Sequence, residues 1–142
     1  MIERFGAGAE KIDRNSAAIV ETITENFGEP LELLEATPSE RSYTFKTDGI
    51  DRIDLSFPRG EIRILNIEAT NQDDGYGTRM IDALIATAEE QGLRLWAEDV
   101  RPEYDEWWRS KGFAPPMDEP YSADYLYDAT IVTGKQIGRA HV

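Results

Sequence analysis

Hydrophobic residues recur every three or four positions near the start of the chain, which is the spacing of one helical face. The pattern predicts an amphipathic helix over 12–27, whose apolar face carries Ile12, Ala18, Ile19, Ile23 and Phe27. Gly28 suits the left-handed residue that follows many helices, and Pro30 prevents a further turn. The helix is therefore expected to end at Phe27.

Apolar and polar residues then alternate, as they do on strands with one buried face. The alternation predicts strands over 41–46, 53–57 and 61–69. Turn sequences lie between them, at Asp48-Gly49 and at 58–60, so we expect an antiparallel meander of three strands. Residues 31–34 form only a short apolar segment before the meander.

The second half of the chain alternates between helical and strand patterns. Residues 75–91 predict a helix that Gly92 ends, followed by a strand over 93–100, a short helix over 103–110 and a last strand within 123–132. The order of elements predicts an α/β protein, more specifically α+β, with helices packed on one central sheet. We expect one domain over 1–133 and a flexible tail over 134–142.

Composition narrows the classes of partner. The 142 residues carry a net charge of −13, which disfavours nucleic acid and anionic membranes and suits a basic partner or an amine. Solubility alone is the other explanation of this charge. The sequence has no cysteine, and its one histidine, His141, lies in the predicted tail, so neither a zinc site nor a histidine-based triad is expected. No signal sequence is evident, and a cytoplasmic protein is expected.

The most informative local sequence is Gln72-Asp73-Asp74-Gly75-Tyr76-Gly77, which joins the predicted strand 61–69 to the predicted helix 75–91. Backbone N–H groups at a helix N-terminus lack partners in the helix, and the helix dipole adds positive charge there. Glycine lets a phosphate come close to the backbone. A strand, a glycine turn and a helix in this order therefore predict a site for a phosphate-bearing ligand.

Gln72-x-x-Gly75-x-Gly77 resembles the acetyl-CoA signature of the GNAT superfamily of N-acetyltransferases, Arg/Gln-x-x-Gly-x-Gly/Ala. The segment Tyr104–Phe113 is similar to a later segment of the family that ends in Gly-Phe, and the likeness covers about residues 59–113. The resemblance implies a single GNAT-like domain with a mixed, mostly antiparallel central sheet flanked by helices. It also implies acetyl-CoA as co-substrate and transfer of an acetyl group to a primary amine.

The resemblance further implies how acetyl-CoA would be held. The pyrophosphate would contact the glycine turn, and the pantetheine arm would pair with the edge of strand 61–69, where a main-chain amide polarises the thioester carbonyl. The implied cofactor-binding residues are Leu65, Asn66, Ile67, Gln72, Asp73, Asp74, Gly75, Tyr76, Gly77 and Thr78. The acceptor would be a cationic small molecule or a basic protein. Neither the acyl chain that is transferred nor the choice between a monomer and a homodimer can be read from the sequence.

Acetyl transfer to an amine needs a base, because the amine is protonated to an ammonium at neutral pH and must first lose a proton. Glu61 is placed like the glutamate base of histone acetyltransferases, although a strand-end carboxylate paired with Arg59 or Arg63 is an equal alternative. Glu68 and Glu98 are the second choices. The family often has a tyrosine, four residues before the glycine of Gly-Phe, that protonates the departing thiolate.

Two positions depart from the family pattern. Trp108 occupies the place of that tyrosine, so Tyr104 is the nearest candidate for the proton donor. Asp73 and Asp74 add negative charge where the family usually has neutral or basic residues, and Arg79 and Arg109 could compensate for it. These departures leave a second hypothesis open, a non-catalytic, acidic GNAT-like protein that has lost CoA binding and binds or inhibits a basic partner.

Overall fold

The computed structural model describes residues 12–128. The N-terminal eleven residues and the predicted tail 134–142 lie outside this range, so the predicted domain limits stay predictions. Within it are three α-helices and seven strands: α1 (Arg14–Phe27), β1 (Glu32–Thr37), β2 (Ser42–Thr47), β3 (Ile50–Ser56), β4 (Glu61–Ala69), α2 (Tyr76–Gln91), β5 (Arg94–Ala97), α3 (Asp105–Ser110), β6 (Phe113–Ala114) and β7 (Tyr125–Tyr127).

The seven strands form one sheet in the order β1-β2-β3-β4-β5-β7-β6. Every neighbouring pair is antiparallel except β4 and β5, which run parallel and are connected through α2. A parallel pair needs such a crossover, since no tight turn can join strands that point the same way. The predicted fold class, a mixed and mostly antiparallel sheet with helices in one domain, is confirmed.

The meander has four strands, not the predicted three, because residues 31–34 begin a strand. The pairing of β1 with β2 shifts register between Leu33 and Glu35, which marks a bulge at Leu34. Leu33 is buried while Leu34 is 44% exposed. The extra residue breaks the alternation that identified the other strands.

The β5 strand is shorter than the predicted 93–100. It ends at Ala97 because Asp99 has a positive φ of 54°, which an extended strand does not allow. The Asp99 amide donates to Oδ1 of Asp124 at 3.0 Å, which stabilises this bend. The chain after β5 therefore turns away from β4.

The start of α1 is fixed by Asp13. Its Oδ2 accepts from the Ser16 amide at 3.1 Å, and its Oδ1 accepts from the Tyr43 hydroxyl at 2.7 Å, which connects the helix to β2. Burial would raise the pKa of Asp13, but these hydrogen bonds outweigh it and hold the pKa below its usual value. Gly28 ends the helix with a φ of 92°, as its position predicts.

The core lies between α1, α2 and one face of the sheet. Its fully buried side chains come from both layers and include Ile23, Phe45, Ile53, Leu55, Ile62, Met80 and Leu84. Alternation places Asp54 on the opposite face from Ile53 and Leu55. Within residues 12–128, none of the helices combines the length and apolar character that a membrane span requires.

Candidate functional site

The β4 strand is paired on both sides only along its first part. Residues 61–64, the paired half, are in register with 94–97 of β5. The last bond between them runs from the Glu98 amide to the Ile64 carbonyl, at 2.9 Å. Within the described chain, residues 65–69, the open half, pair with β3 and with no strand on the other side.

A bulge marks the point where β4 and β5 separate. In the pairing with β3, Leu55 is opposite Ile64 while Asp54 is opposite Asn66, so Leu65 is the extra residue. Leu65 is 36% exposed, although the neighbouring Ile64 is only 3% exposed. The gap that opens between β4 and β5 after residues 64 and 97 is called the fork. It lies at the carboxyl ends of two parallel strands, where ligands commonly bind in sheets of this kind.

The turn after β4 uses two of its own amides. Asn71 Oδ1 accepts from the Asp73 amide at 3.0 Å, and the Asn71 carbonyl accepts from the Asp74 amide at 3.2 Å. These amides were expected to belong to the phosphate site, but they are already bonded. Asn71 was not among the predicted site residues, although an asparagine before a helical turn is a frequent cap.

The four amides that follow are unbonded. The first bonded amide of α2 is that of Arg79, which donates to the Gly75 carbonyl at 3.0 Å. Within residues 12–128, the N–H groups of 75–78 have no hydrogen-bond partner, and no side chain caps the helix. They are the orphan donors of a helix N-terminus and are available to an anion.

The two glycines leave room beside these amides. Gly75 has a φ of 79°, a conformation that glycine adopts without strain. A Cβ placed on Gly77 would meet no protein atom within 4 Å, so the space beside it is open. The site can therefore accept a diphosphate at the level of the backbone.

Tyr76 is directed away from the open amides. Its ring packs on Gly49, where a Cβ would come within 2.1 Å of the ring. The Arg79 guanidinium lies over the Tyr76 ring at 4.9 Å and donates to the Phe27 carbonyl at 3.1 Å. Arg79 thus stabilises the contact between α2 and the end of α1.

The two arginines that were expected to compensate for the charge of Asp73 and Asp74 are both bonded elsewhere. Arg79 is held against α1, and Arg109 is paired with Asp105 within α3, at 2.8 Å. Asp73 and Asp74 are both exposed to solvent. Solvent screening limits the repulsion of an anion by each carboxylate to about 1 kcal/mol.

Glu61 belongs to an ion-pair network. Its Oε1 accepts from Arg63 Nε at 2.9 Å, its Oε2 lies 3.6 Å from Arg94 Nη1, and its side chain is 16% exposed. Burial would lower the pKa of Arg63, but its bonds to Glu61 and Glu98 outweigh this and raise the pKa. Both oxygens of Glu61 face guanidinium groups, which agrees with the ion-pair alternative.

Glu68 and Glu98 lie nearer the fork. Glu68, on the open half, is exposed, and its Oε2 accepts from Asn66 Nδ2 at 2.7 Å. Glu98 follows the end of β5, and its Oε2 accepts from Arg63 Nη1 at 3.0 Å. Glu98 therefore shares a cation with Glu61, whereas Glu68 contacts a neutral amide.

The aromatic residues in α3 and just before it differ in their environment. Trp108 packs edge-on against Phe113 at 5.0 Å, so it has a role in packing. Tyr104, which precedes α3, is 49% exposed. Its side chain is therefore accessible to solvent.

A row of polar residues crosses the meander and was not predicted. Glu35 is in register with Thr44, Thr44 with Asp54, and Asp54 with Asn66. These four residues, the polar row, line a cavity of about 190 Å³ that also touches Leu65. Only the strand register brings them together, so no local pattern in the sequence could have revealed them.

Comparison with known proteins supports the fold. No protein-family model matches the chain, and no curated protein matches it significantly. Among solved structures, the crystal structure of the anti-CRISPR protein AcrVA5 is similar, with a TM-score of 0.51 and 21% sequence identity. The match covers 61% of this chain and 98% of AcrVA5. At this identity the likeness shows a shared fold alone, and the architecture is consistent with the GNAT-like fold expected from the sequence.

Proposed function

We propose that this protein is an N-acetyltransferase that moves an acetyl group from acetyl-CoA to a primary amine. The observation that carries the proposal is the position of two features at one end of the sheet. The unpaired edge of β4 over 65–69 leads directly through the turn to the four unbonded amides of 75–78. An extended thiol arm that ends in a diphosphate matches an edge strand followed by an anion site.

The diphosphate is assigned to the N-terminus of α2. The amides of 75–78 donate to its oxygens, and the dipole of the 16-residue helix favours the negative charge. Gln72 lies in the preceding turn and is exposed, so its side-chain amide is a further donor. The exposed carboxylates of Asp73 and Asp74 weaken the binding without preventing it.

The pantetheine arm is assigned to the open half of β4. An added strand there would form main-chain hydrogen bonds with the unpaired edge around Leu65–Ile67. A main-chain amide on this edge then donates to the thioester oxygen, where negative charge develops as the carbonyl is attacked. The bulge at Leu65 separates this edge from the part of β4 that β5 occupies.

The proton chemistry is assigned to Glu68. It is exposed on the open half, where it accepts from the neutral amide of Asn66 and lies opposite Arg52 of β3, whereas Glu61 is held between two guanidinium groups. Glu68 accepts one proton of the ammonium, and the neutral nitrogen attacks the thioester carbon. The C–N bond forms as the C–S bond breaks, and the nitrogen releases its second proton to solvent. The leaving thiolate takes up a proton, for which the exposed phenol of Tyr104 is the assigned donor.

A pair of variants at one position tests the binding site. Gly77→Glu places a carboxylate among the open amides, and we expect it to weaken acetyl-CoA binding more than tenfold in isothermal titration. Gly77→Ala is the control, because its methyl group meets no protein atom and the family signature accepts alanine there. Both variants should fold, since alanine and glutamate favour helices over glycine. Equal affinities of the wild type and Gly77→Glu would disprove the site.

The second candidate is a non-catalytic, acidic binding protein of the same fold. The observation that favours it is the net charge of −13 together with Asp73-Asp74 beside the open amides. Here the wild type would release no heat with acetyl-CoA at high micromolar concentration. It would still bind a basic protein, and Glu68→Gln would leave that binding unchanged.

A further inference from the structure

The cavity that the polar row lines has the dimensions of a narrow, extended small molecule. Its four polar residues stand on neighbouring strands β1 to β4, so they span three strand spacings, or roughly 14 Å. The volume of about 190 Å³ is below the usual range for drug-sized ligands, which begins at about 300 Å³. A long, thin molecule fits these limits better than a ring system.

The charges around the cavity favour a cation. Glu35 and Asp54 line it, and Glu68 bonds to its lining residue Asn66. Among residues 12–128, the first two of these carboxylates form their ion pairs with Arg52, whose Nε lies 3.0 Å from Asp54 Oδ2 and whose Nη2 lies 3.7 Å from Glu35 Oε2. Three carboxylates and one guanidinium leave two negative charges uncompensated.

Asp54 keeps its charge at neutral pH. Burial would raise the pKa of Asp54, but hydrogen bonds from Arg52 and Thr44 outweigh it and lower the pKa. The Thr44 hydroxyl donates to Asp54 Oδ1, and the hydroxyls of Thr37 and Ser42 also belong to residues that line the cavity. The cavity is thus a fixed polar surface, with acceptors for N–H groups.

One end of the cavity reaches the proposed reaction centre. Leu65 and Asn66 form its wall on β4, and they begin the open half assigned to the thioester arm. Its other end is at Glu35, whose side chain is 69% exposed. A molecule lying along the polar row would have one terminus at the fork and the other at Glu35.

We propose that this cavity binds the acceptor, and that the acceptor is a linear aliphatic diamine long enough to place one amino group at the Leu65 bulge and the other near Glu35. The inference rests on the proposed function for its chemistry, because the amine at the bulge is the one that is acetylated. A diamine brings two positive charges to two uncompensated negative ones. A single lysine side chain of a protein would bring one.

Two matched variants on β1 test the site. Glu35→Gln removes the carboxylate at the far end of the cavity, and Glu32→Gln removes an exposed carboxylate from the same strand outside it. Both change the net charge equally, so long-range attraction is matched. The probes are 1,8-diaminooctane, which is long enough to reach from the bulge to Glu35, and octylamine, which lacks only the second amino group.

We expect Glu35→Gln to weaken 1,8-diaminooctane binding about fivefold, which is the effect expected for loss of a solvent-exposed charge pair. Glu32→Gln should have no effect, and octylamine should bind both variants and the wild type equally. In amide NMR spectra, the diamine should shift the signals of Thr44, Asp54 and Asn66. Equal weakening by the two variants, or shifts elsewhere, would overturn the inference. So would acetylation of a lysine-containing peptide without acetylation of the diamine.

Titration of acetyl-CoA in parallel separates this inference from the proposed function. If acetyl-CoA binds and 1,8-diaminooctane does not, the acceptor site is wrong while the transferase stands. If the diamine binds the cavity and acetyl-CoA does not bind, the cation site stands and the transferase is wrong.

Discussion

The two halves of β4 belong to one strand but have opposite properties. Residues 61–64 pair with β5, and the last two of them also pair with β3. Ile62 and Ile64 there are 0% and 3% exposed. Residues 65–69 pair only with β3 among the described residues, and Asn66 and Glu68 there are exposed. The bulge at Leu65 is the boundary.

This contrast separates stability from function along a single element. The paired half places its apolar side chains in the core and its charged ones in a network of mutual partners, so little is left for a ligand. The open half has an unpaired backbone edge, an exposed carboxylate and the route to the open amides of α2. A strand edge with unpaired groups is normally avoided, and its presence here is consistent with a ligand that completes it.

Truncation in each half should give the largest difference. Ile62→Ala removes a fully buried side chain, and we expect it to lower the free energy of unfolding by about 2–5 kcal/mol. Leu65→Ala, at a 36% exposed position, should cost less than about 1 kcal/mol. Urea denaturation measures both values. Equal losses would mean that the bulge is not a boundary in stability.

Exchange of carboxylates should distinguish the halves in activity. Glu68→Gln should lower kcat about 100-fold, which is the low end for loss of a general base. Glu61→Gln should lower kcat much less, because Glu61 is committed to Arg63 and Arg94. Steady-state kinetics with acetyl-CoA and an amine give both numbers. If Glu61→Gln lowers kcat more than Glu68→Gln does, then Glu61 is the base.

The scaffold can also be weakened far from the fork. Asp13→Ala removes the α1 cap and should cost about 1 kcal/mol, with no change in acetyl-CoA affinity. Asp13→Asn, which keeps a capping side chain, is the control.

The pH dependence at Asp13 follows from its lowered pKa. The charged form is favoured in the folded state, so its contribution is present above the ordinary pKa of about 3.8 and is lost as pH falls through the lower, folded value. The difference in unfolding free energy between wild type and Asp13→Ala should shrink as the pH falls below about 3.8. A constant difference would show that the charge of Asp13 is unimportant.

The smallest effect is expected at the turn. Asp74→Asn removes one exposed carboxylate near the open amides and should tighten acetyl-CoA binding by up to about fivefold, or roughly 1 kcal/mol. Raising the salt concentration should reduce this gain, because salt screens exposed charges. A loss of affinity instead would indicate that Asp74 contacts the ligand.

Local chemistry made most of the fold predictable. Gly28 and Gly92 end α1 and α2 with positive φ values of 92° and 67°, as glycine after a helix should. The strands with clean alternation were predicted, and two strands were missed. One is β6, which has only two residues, and the other is β1, which has a bulge at Leu34. Bulges depend on pairing with the neighbouring strand, which a local pattern does not contain.

Some features of the candidate site could likewise be predicted from local sequence, and others could not. The glycine turn could be read from adjacent residues, but which of its amides are free depends on the cap by Asn71. Glu61 is paired with Arg94, which lies on another strand, and the polar row depends on the register of four strands. These contacts form only when the sheet assembles, so they could not be derived beforehand.

The central claim is that the open half of β4 and the start of α2 together bind a CoA thioester. The most direct measurement is an amide NMR titration of the full chain with acetyl-CoA. The account predicts shifts concentrated at residues 65–69 and 75–78, with the amides of 61–64 nearly unchanged. Saturating acetyl-CoA that leaves 65–69 and 75–78 unshifted, or that shifts another surface in their place, would contradict it.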